Sequence, residues 1–238
     1  MPIIAEKEME TKSMSPLLDS NVLRKIAPYT LAGYSRWRQI VNTDGAIPAR
    51  IKALYVAVAA NTKGYRELAE RELARAHQLG LTYEEASSAG IILSSCRGEG
   101  AALRFLALLD AEYQVVPAAA AMPVIDVEAG QVEQNFLNYF GAMPPSLGKL
   151  IDLLPVGSEA YYLMREGTIN GTPLGAKYSE LMLVTILAAD YSDWTNVHMK
   201  GAKTAGATDT EIAESLVCAV LTSGLSAWVV GATQMDKM

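Results

Sequence analysis

The chain has 238 residues, with 20 Lys and Arg against 26 Asp and Glu and a formal net charge of −6. No basic block or stripe appears in it, which argues against nucleic acid as a partner. Half of the residues are hydrophobic but only 7% are aromatic, a balance typical of close-packed helices. The composition therefore predicts an all-α protein.

The N-terminus, MPIIAEKEMETKS, is charged and lacks an apolar signal core, so we expect residues 1–15 to form a mobile tail. Apolar segments elsewhere are interrupted by polar residues, which argues against a membrane span. Cys96 and Cys218 lie far apart in the chain, a spacing that suits neither a metal site nor a redox motif. These features predict a cytoplasmic protein with two buried thiols, and no membrane contact.

The first half of the chain predicts a series of helices that end at glycines. Thr82 and Glu85 form a capping box, Gly80 marks the end of the preceding helix, and Gly98 is expected to break or bend the following one. The predicted helices cover Pro16–Ile26, Tyr29–Val41, Pro48–Asn61, Tyr65–Leu79, a segment after Thr82, and Ala101–Glu112.

Residues 115–131, VVPAAAAMPVIDVEAGQ, contain two prolines and little helical periodicity, which predicts a linker. A second helical series follows, and its last helix is expected to run from a second capping box toward Gln234 with Gly224 inside it. The other predicted helices are short pieces within Phe136–Leu154, then Ser158–Thr168, Tyr178–Ala189 and Asp193–Ala205.

The two series match at a constant offset of 126 positions. The matched pairs are Tyr65 and Tyr191, Ala76 and Ala202, Gly80 and Gly206, Thr82 and Thr208, Glu85 and Glu211, and Gly98 and Gly224. Because helix ends, capping boxes and glycines fall in one register, an internal duplication is the better explanation. The sequence predicts two tandem helical repeats, residues 16–114 and 132–238.

A glutamate and a histidine in the second repeat are the candidate catalytic pair. Glu180 is expected to open one helix and His198 to lie on the next, so that they face each other across one pocket. At the same offset His198 corresponds to Glu72 and Glu180 to Leu54, which predicts a degenerate site in the first repeat. Glu72 itself is interpreted as a solvated charge, and the alternative for Glu180 and His198 is a satisfied structural pair.

The pattern E…YSDWTNVHMKGA…AGATDTEI resembles the carboxymuconolactone decarboxylase family, which also contains the alkylhydroperoxidase-D-like proteins. The matching positions are Glu180, His198, Ala202, Gly206, Thr208 and Glu211. The resemblance implies an all-α helical-hairpin fold of that type. Single-repeat members of the family assemble as trimers or hexamers, so it also implies a homo-oligomer, with a trimer of tandem chains favoured.

The chain departs from the peroxidase branch of that family, which places a Cys-x-x-Cys four residues before the histidine. Tyr191 and Trp194 occupy those two positions, and neither can form a disulfide or attack a peroxide. Cys96 and Cys218 lie far from the motif in sequence. Thiol peroxidase activity is therefore disfavoured, and the aromatic pair is typical of the decarboxylase branch.

These residues favour a lyase that needs neither a metal nor a cofactor, acting on a small carboxylated lactone or β-keto acid. His198 would move the proton and Glu180 would orient its imidazole. Tyr191 and Trp194 would form an apolar wall, and Arg165 is the candidate that holds a remaining carboxylate. A related acid–base hydrolase or isomerase, a peroxide-response protein, and a non-catalytic binding protein remain as alternatives.

Overall fold

The structure, a computed structural model, describes residues 15–116 and 118–238. Over these ranges the chain forms thirteen α-helices and no strand, which confirms the all-α prediction. The helices are α1 Asn21–Ile26, α2 Pro28–Asn42, α3 Ala49–Thr62, α4 Arg66–Gln78, α5 Tyr83–Arg97, α6 Glu99–Tyr113, α7 Gln131–Phe140, α8 Pro145–Leu153, α9 Pro155–Ile169, α10 Gly175–Ala189, α11 Thr195–Thr204, α12 Asp209–Ser223 and α13 Leu225–Met235. No helix in the described ranges is both long and apolar enough to cross a membrane. The predicted tail lies, except for Ser15, outside the described residues.

Both predicted capping boxes are present. The hydroxyl of Thr82 accepts the backbone N–H of Glu85 at 3.1 Å, and the Glu85 carboxylate accepts the N–H of Thr82 at 3.0 Å. The corresponding distances for Thr208 and Glu211 are 3.1 and 2.7 Å. Each cap stabilises the start of its helix by about 1 kcal/mol, and together they fix where α5 and α12 begin.

The prediction of one continuous final helix is wrong. The chain breaks at Gly224, which has φ 75° and ends α12 before α13 begins. This is the left-handed region that glycine enters without steric cost. Gly98, with φ 74°, separates α5 from α6 in the same way. Gly224 therefore breaks the helix of the second repeat as Gly98 breaks that of the first.

Helix boundaries recur at the predicted offset. Ala49 and Gly175 begin α3 and α10, and Tyr83 and Asp209 begin α5 and α12, with the same separation in each pair. These boundaries support the predicted duplication.

The two halves share one hydrophobic core. Fully buried residues of α3, such as Leu54 and Tyr55, belong to the same cluster as Leu181 and Met182 of α10. The Tyr55 hydroxyl also donates to the backbone carbonyl of Tyr178 at 2.7 Å. Burial of this continuous core, rather than of two separate ones, holds α10 and α11 in place.

A second, smaller hydrophobic cluster lies beside α9. Val132 and Phe136 of α7 pack with Leu147 of α8, and both α7 and α8 contact α9. On another side, α5 contacts both α9 and α10. The hairpin is thus enclosed by helices of both halves.

Candidate active site

The structure brings the predicted pair together. The carboxylate of Glu180 is 1% exposed, and its Oε2 lies 2.8 Å from Nδ1 of the half-buried His198. Glu180 does not open its helix as expected, because α10 already begins at Gly175. A buried carboxylate beside Nδ1 favours the imidazole tautomer with its proton on that nitrogen, which leaves Nε2 to exchange a proton with a ligand.

A glycine on α11 makes room for this carboxylate. A Cβ placed on Gly201 would lie 2.5 Å from Cδ and 2.9 Å from Oε2 of Glu180. Separations this short are strongly repulsive, since carbon atoms pack best at about 3.5–4.0 Å. The backbone of α11 can therefore approach Glu180 only where the side chain is absent.

A tyrosine that the sequence analysis missed completes the contacts of Glu180. The hydroxyl of Tyr139, on α7, donates to Glu180 Oε1 at 2.9 Å. Burial, followed by the charge of Glu180, raises the pKa of this hydroxyl well above its usual range. The hydroxyl therefore stays protonated and acts as a permanent donor. No sequence signal marked it, because α7 is far from the hairpin in the chain.

Arg165, the predicted carboxylate anchor, lies against the same tyrosine. Its Cζ is 3.7 Å from the centroid of the Tyr139 ring. Its Nη1 donates to Asn135 Oδ1 at 2.5 Å and to Glu166 Oε1 at 3.1 Å. Its buried Nε has no acceptor among the described residues, so the guanidinium has capacity for one more hydrogen bond.

His198, Tyr139 and Arg165 line one cavity of about 230 Å³. Ser95 and Cys96 of α5 line it as well, so the first half of the chain supplies part of the wall. Cys96, which is far from the motif in the sequence, therefore lines the same cavity as His198. Burial raises the pKa of the Cys96 thiol to about 11, which keeps it protonated near neutral pH.

The two aromatic residues before the histidine have different positions. Trp194 precedes the first residue of α11, is 62% exposed and lines the cavity. Tyr191 does not line it. Its hydroxyl donates to the carbonyl of Ser223 at 2.6 Å, and its backbone has φ 57°. The left-handed turn after α10 directs Tyr191 toward the end of α12 instead.

Residues 157–235 match the model of the Carboxymuconolactone decarboxylase family. This segment of the chain belongs to the carboxymuconolactone decarboxylase family. It contains Glu180, His198, Gly201 and Arg165, and it ends before reaching Tyr139 on the N-terminal side.

The fold has a counterpart among solved structures. The chain is 22% identical to a crystal structure named a "putative gamma-carboxymuconolactone decarboxylase subunit" from Burkholderia xenovorans LB400, with a TM-score of 0.56. The match covers 94% of this chain and 92% of that one, so the similarity of fold extends beyond the family segment to the first half. No curated protein matches the chain.

Outside the family segment, the first-half position equivalent to His198 carries a glutamate, Glu72, with different neighbours. Glu72 is completely buried, so its interpretation as a solvated charge is wrong. Its carboxylate accepts from Arg38 Nη2 at 2.7 Å and from Arg75 Nε at 2.9 Å. Arg75 stands at the position equivalent to Gly201, and Leu54, fully buried, at that of Glu180. A buried ion cluster replaces the Glu–His pair.

A larger cavity of about 490 Å³ lies in the first half, between α3, α4 and α6. It is lined mainly by apolar atoms, with the exposed pair Arg66 and Glu70 at its edge. Cavity volume alone does not identify a reactive site, and no histidine faces this one. The acid–base pair opens into the smaller cavity.

Proposed function

We propose that this protein is a cofactor-free lyase that removes CO2 from a small carboxylated lactone or β-keto acid. The observation that carries the proposal is the buried Glu180–His198 pair beside a cavity that also contains Arg165. This reaction requires a group that transfers a proton, a carboxylate that orients that group, and a cation that binds the substrate.

In the proposed reaction, the bond between the substrate carbon and its carboxylate breaks and CO2 leaves. The electron pair of that bond passes into the carbonyl system of the substrate, which gives a dienolate from an unsaturated lactone and an enolate from a β-keto acid. The substrate is its own electron sink, so the protein has to supply a proton and a shaped pocket. Imidazolium Nε2 of His198 then gives a proton to carbon, and the carbonyl re-forms.

The neighbouring groups have separate roles. Glu180 accepts the Nδ1 proton of His198 and stabilises the imidazolium. Arg165 forms an ion pair with the carboxylate that is not lost. Trp194 and the apolar residues Met164 and Ile169 line the cavity, where they exclude water from the carboxylate that leaves.

The cysteines do not favour thiol peroxidase chemistry. Such a reaction needs a thiolate of low pKa and a second thiol for the disulfide. Burial instead raises the pKa of Cys96 to about 11 and that of Cys218 to about 12. Cys218 is fully buried and does not line the cavity that contains Cys96.

The test is turnover of 4-carboxymuconolactone and a panel of β-keto and lactone carboxylates, followed by absorbance and CO2 release, without added metal or thiol. We expect His198→Ala and Glu180→Gln to lower kcat by about 10²- to 10⁴-fold, the range for loss of acid–base catalysis. His77→Ala is the matched control, because His77 is 43% exposed and pairs with Glu112 in the first half.

Three outcomes would contradict the proposal. Wild-type protein that leaves the whole panel unchanged would remove the lyase assignment. Full activity in His198→Ala would place the chemistry elsewhere. Substrate consumption without CO2 would identify a hydrolase or isomerase that uses the same pair.

We also propose a homo-oligomer, with a trimer favoured. Leu225 and Val229, four residues apart on α13, are 65% and 62% exposed, and apolar residues on one helix face are typical of subunit contacts. Sedimentation equilibrium measures the state directly, and a monomer at micromolar concentration would refute this expectation.

A further inference from the structure

Tyr139 contacts both functional parts of the proposed site. Its hydroxyl meets the acid–base pair at Glu180 Oε1, and its ring lies under the guanidinium of Arg165. It comes from α7, outside the segment that matches the family. No other described residue is bonded to Glu180 and also in ring contact with Arg165.

The hydroxyl decides how the Glu180 carboxylate is held. Among the described residues, only Tyr139 and His198 donate to it, one to each oxygen. The carboxylate is 1% exposed, so water cannot readily replace either donor. Without the hydroxyl, Oε1 would be a buried charged acceptor with no partner, and the carboxylate could rotate so that either oxygen accepts from His198, the one remaining donor among the described residues.

The ring decides where Arg165 lies. Its face supports the guanidinium at 3.7 Å, a cation–π distance. Asn135, four residues earlier on α7, accepts from Nη1 of the same guanidinium. Tyr139 and Asn135, one helical turn apart on α7, therefore both contact the guanidinium of Arg165.

We propose that Tyr139 is a positioning residue that sets the geometry of the acid–base pair with its hydroxyl and of the substrate-binding cation with its ring. The role of the ring in substrate binding rests on the proposed function. The role of the hydroxyl can be tested without any substrate.

Kinetics separate the two roles. Tyr139→Phe keeps the ring and loses the hydroxyl. We expect kcat to fall roughly tenfold or more, because a hydrogen bond to a charged group is lost. KM should stay within about twofold of the wild-type value, because the ring that supports Arg165 is kept. Tyr139→Leu loses both and should also raise KM roughly fivefold, as loss of a cation–π contact predicts. Tyr29→Phe is the control for loss of a tyrosine hydroxyl, because Tyr29 is 93% exposed and does not line this cavity.

Nitrogen-15 NMR tests the hydroxyl independently of activity, since the chain has only two histidines. Wild-type His198 should show one dominant Nδ1–H tautomer with a slowly exchanging proton. In Tyr139→Phe we expect a mixed tautomer and faster exchange of that proton. His77, which bonds to Glu112 and stacks on Tyr113, is the internal reference and should not change.

An unchanged His198 signal in folded Tyr139→Phe would overturn the role of the hydroxyl, and an equal KM in the Phe and Leu variants would overturn that of the ring. If the wild type turns over none of the panel, the proposed function fails while the NMR result still decides the role of the hydroxyl. In that case isothermal titration with 4-carboxymuconolactone decides the role of the ring. Equal affinity of the Phe and Leu variants, or no binding to wild-type protein, would overturn it.

Discussion

Gly201→Ala is the substitution that most directly tests whether the contact between Glu180 and α11 matters. The new methyl group would lie 2.5 Å from Cδ of Glu180. Relief of that contact requires a movement of roughly 1 Å, given the usual carbon–carbon separation. The α11 backbone is fixed by its helix, so the carboxylate is the group that must move.

The expected effect is large for activity and small for stability. A displacement of about 1 Å at a catalytic group can cost about 10²-fold in rate, because the 2.8 Å bond to His198 is lost. Alanine in a helix is favoured over glycine by about 1 kcal/mol, which partly offsets loss of a hydrogen bond worth about 1.5–3 kcal/mol. We expect kcat to fall about 100-fold while the free energy of unfolding drops by no more than about 2 kcal/mol.

The assay combines lyase kinetics with urea unfolding. Gly33→Ala is the matched control, because Gly33 lies inside α2 with no atom within 4 Å of its added methyl group. In a Glu180→Ala background, Gly201→Ala should have no further effect on kcat, since the group it displaces is gone. An additive loss in the double variant, or wild-type activity in Gly201→Ala, would refute the steric argument.

Three further predictions concern the ionisable groups. Glu72→Gln should destabilise the fold by about 3–5 kcal/mol in urea unfolding, because it removes the buried carboxylate that forms ion pairs with Arg38 and Arg75; an exposed change, Glu84→Gln, should cost less than about 0.5 kcal/mol. Cys96 should react slowly with a thiol reagent at pH 7, and faster as pH rises toward 11, because burial raises its pKa to about 11; rapid labelling of folded protein at pH 7 would contradict this. Burial opposes ionisation of Glu214, but hydrogen bonds from the loop before α3 and from Lys52 keep its pKa below 4.5. Its contribution to stability is therefore present above about pH 4.5 and lost as pH falls through the folded-state pKa, so Glu214→Gln should flatten the acid side of the stability profile, and an unchanged profile would disprove it.

Local signals in the sequence were reliable where short-range physics decides the structure. Capping boxes at Thr82 and Thr208 fixed the starts of α5 and α12, because they satisfy backbone donors within one turn. The break at Gly224 was not predicted, although the sequence contained the signal for it. Its first-half counterpart Gly98 was expected to break a helix, and the same steric rule applied to both.

Glu72 was misjudged although the sequence carried a signal. It lies on the stripe of Ala69, Leu73 and Ala76, which are all buried, so helical periodicity placed it inward. The many charged residues next to Glu72 in the sequence made the segment look solvent-exposed. The two arginines that neutralise it include Arg38, which comes from another helix and could not be paired with it from sequence alone.

The sequence by itself determined most of the helices and the hairpin, because caps, glycines and periodicity act over a few residues, and it placed Glu180 and His198 on that hairpin. Only the tertiary structure decided which groups surround that pair. Tyr139 and Cys96 reach the cavity from helices far from the hairpin in the chain, while Tyr191, which is close in sequence, does not. Side-chain neighbours across helices follow from burial of the shared core, and no local rule in the chain records them.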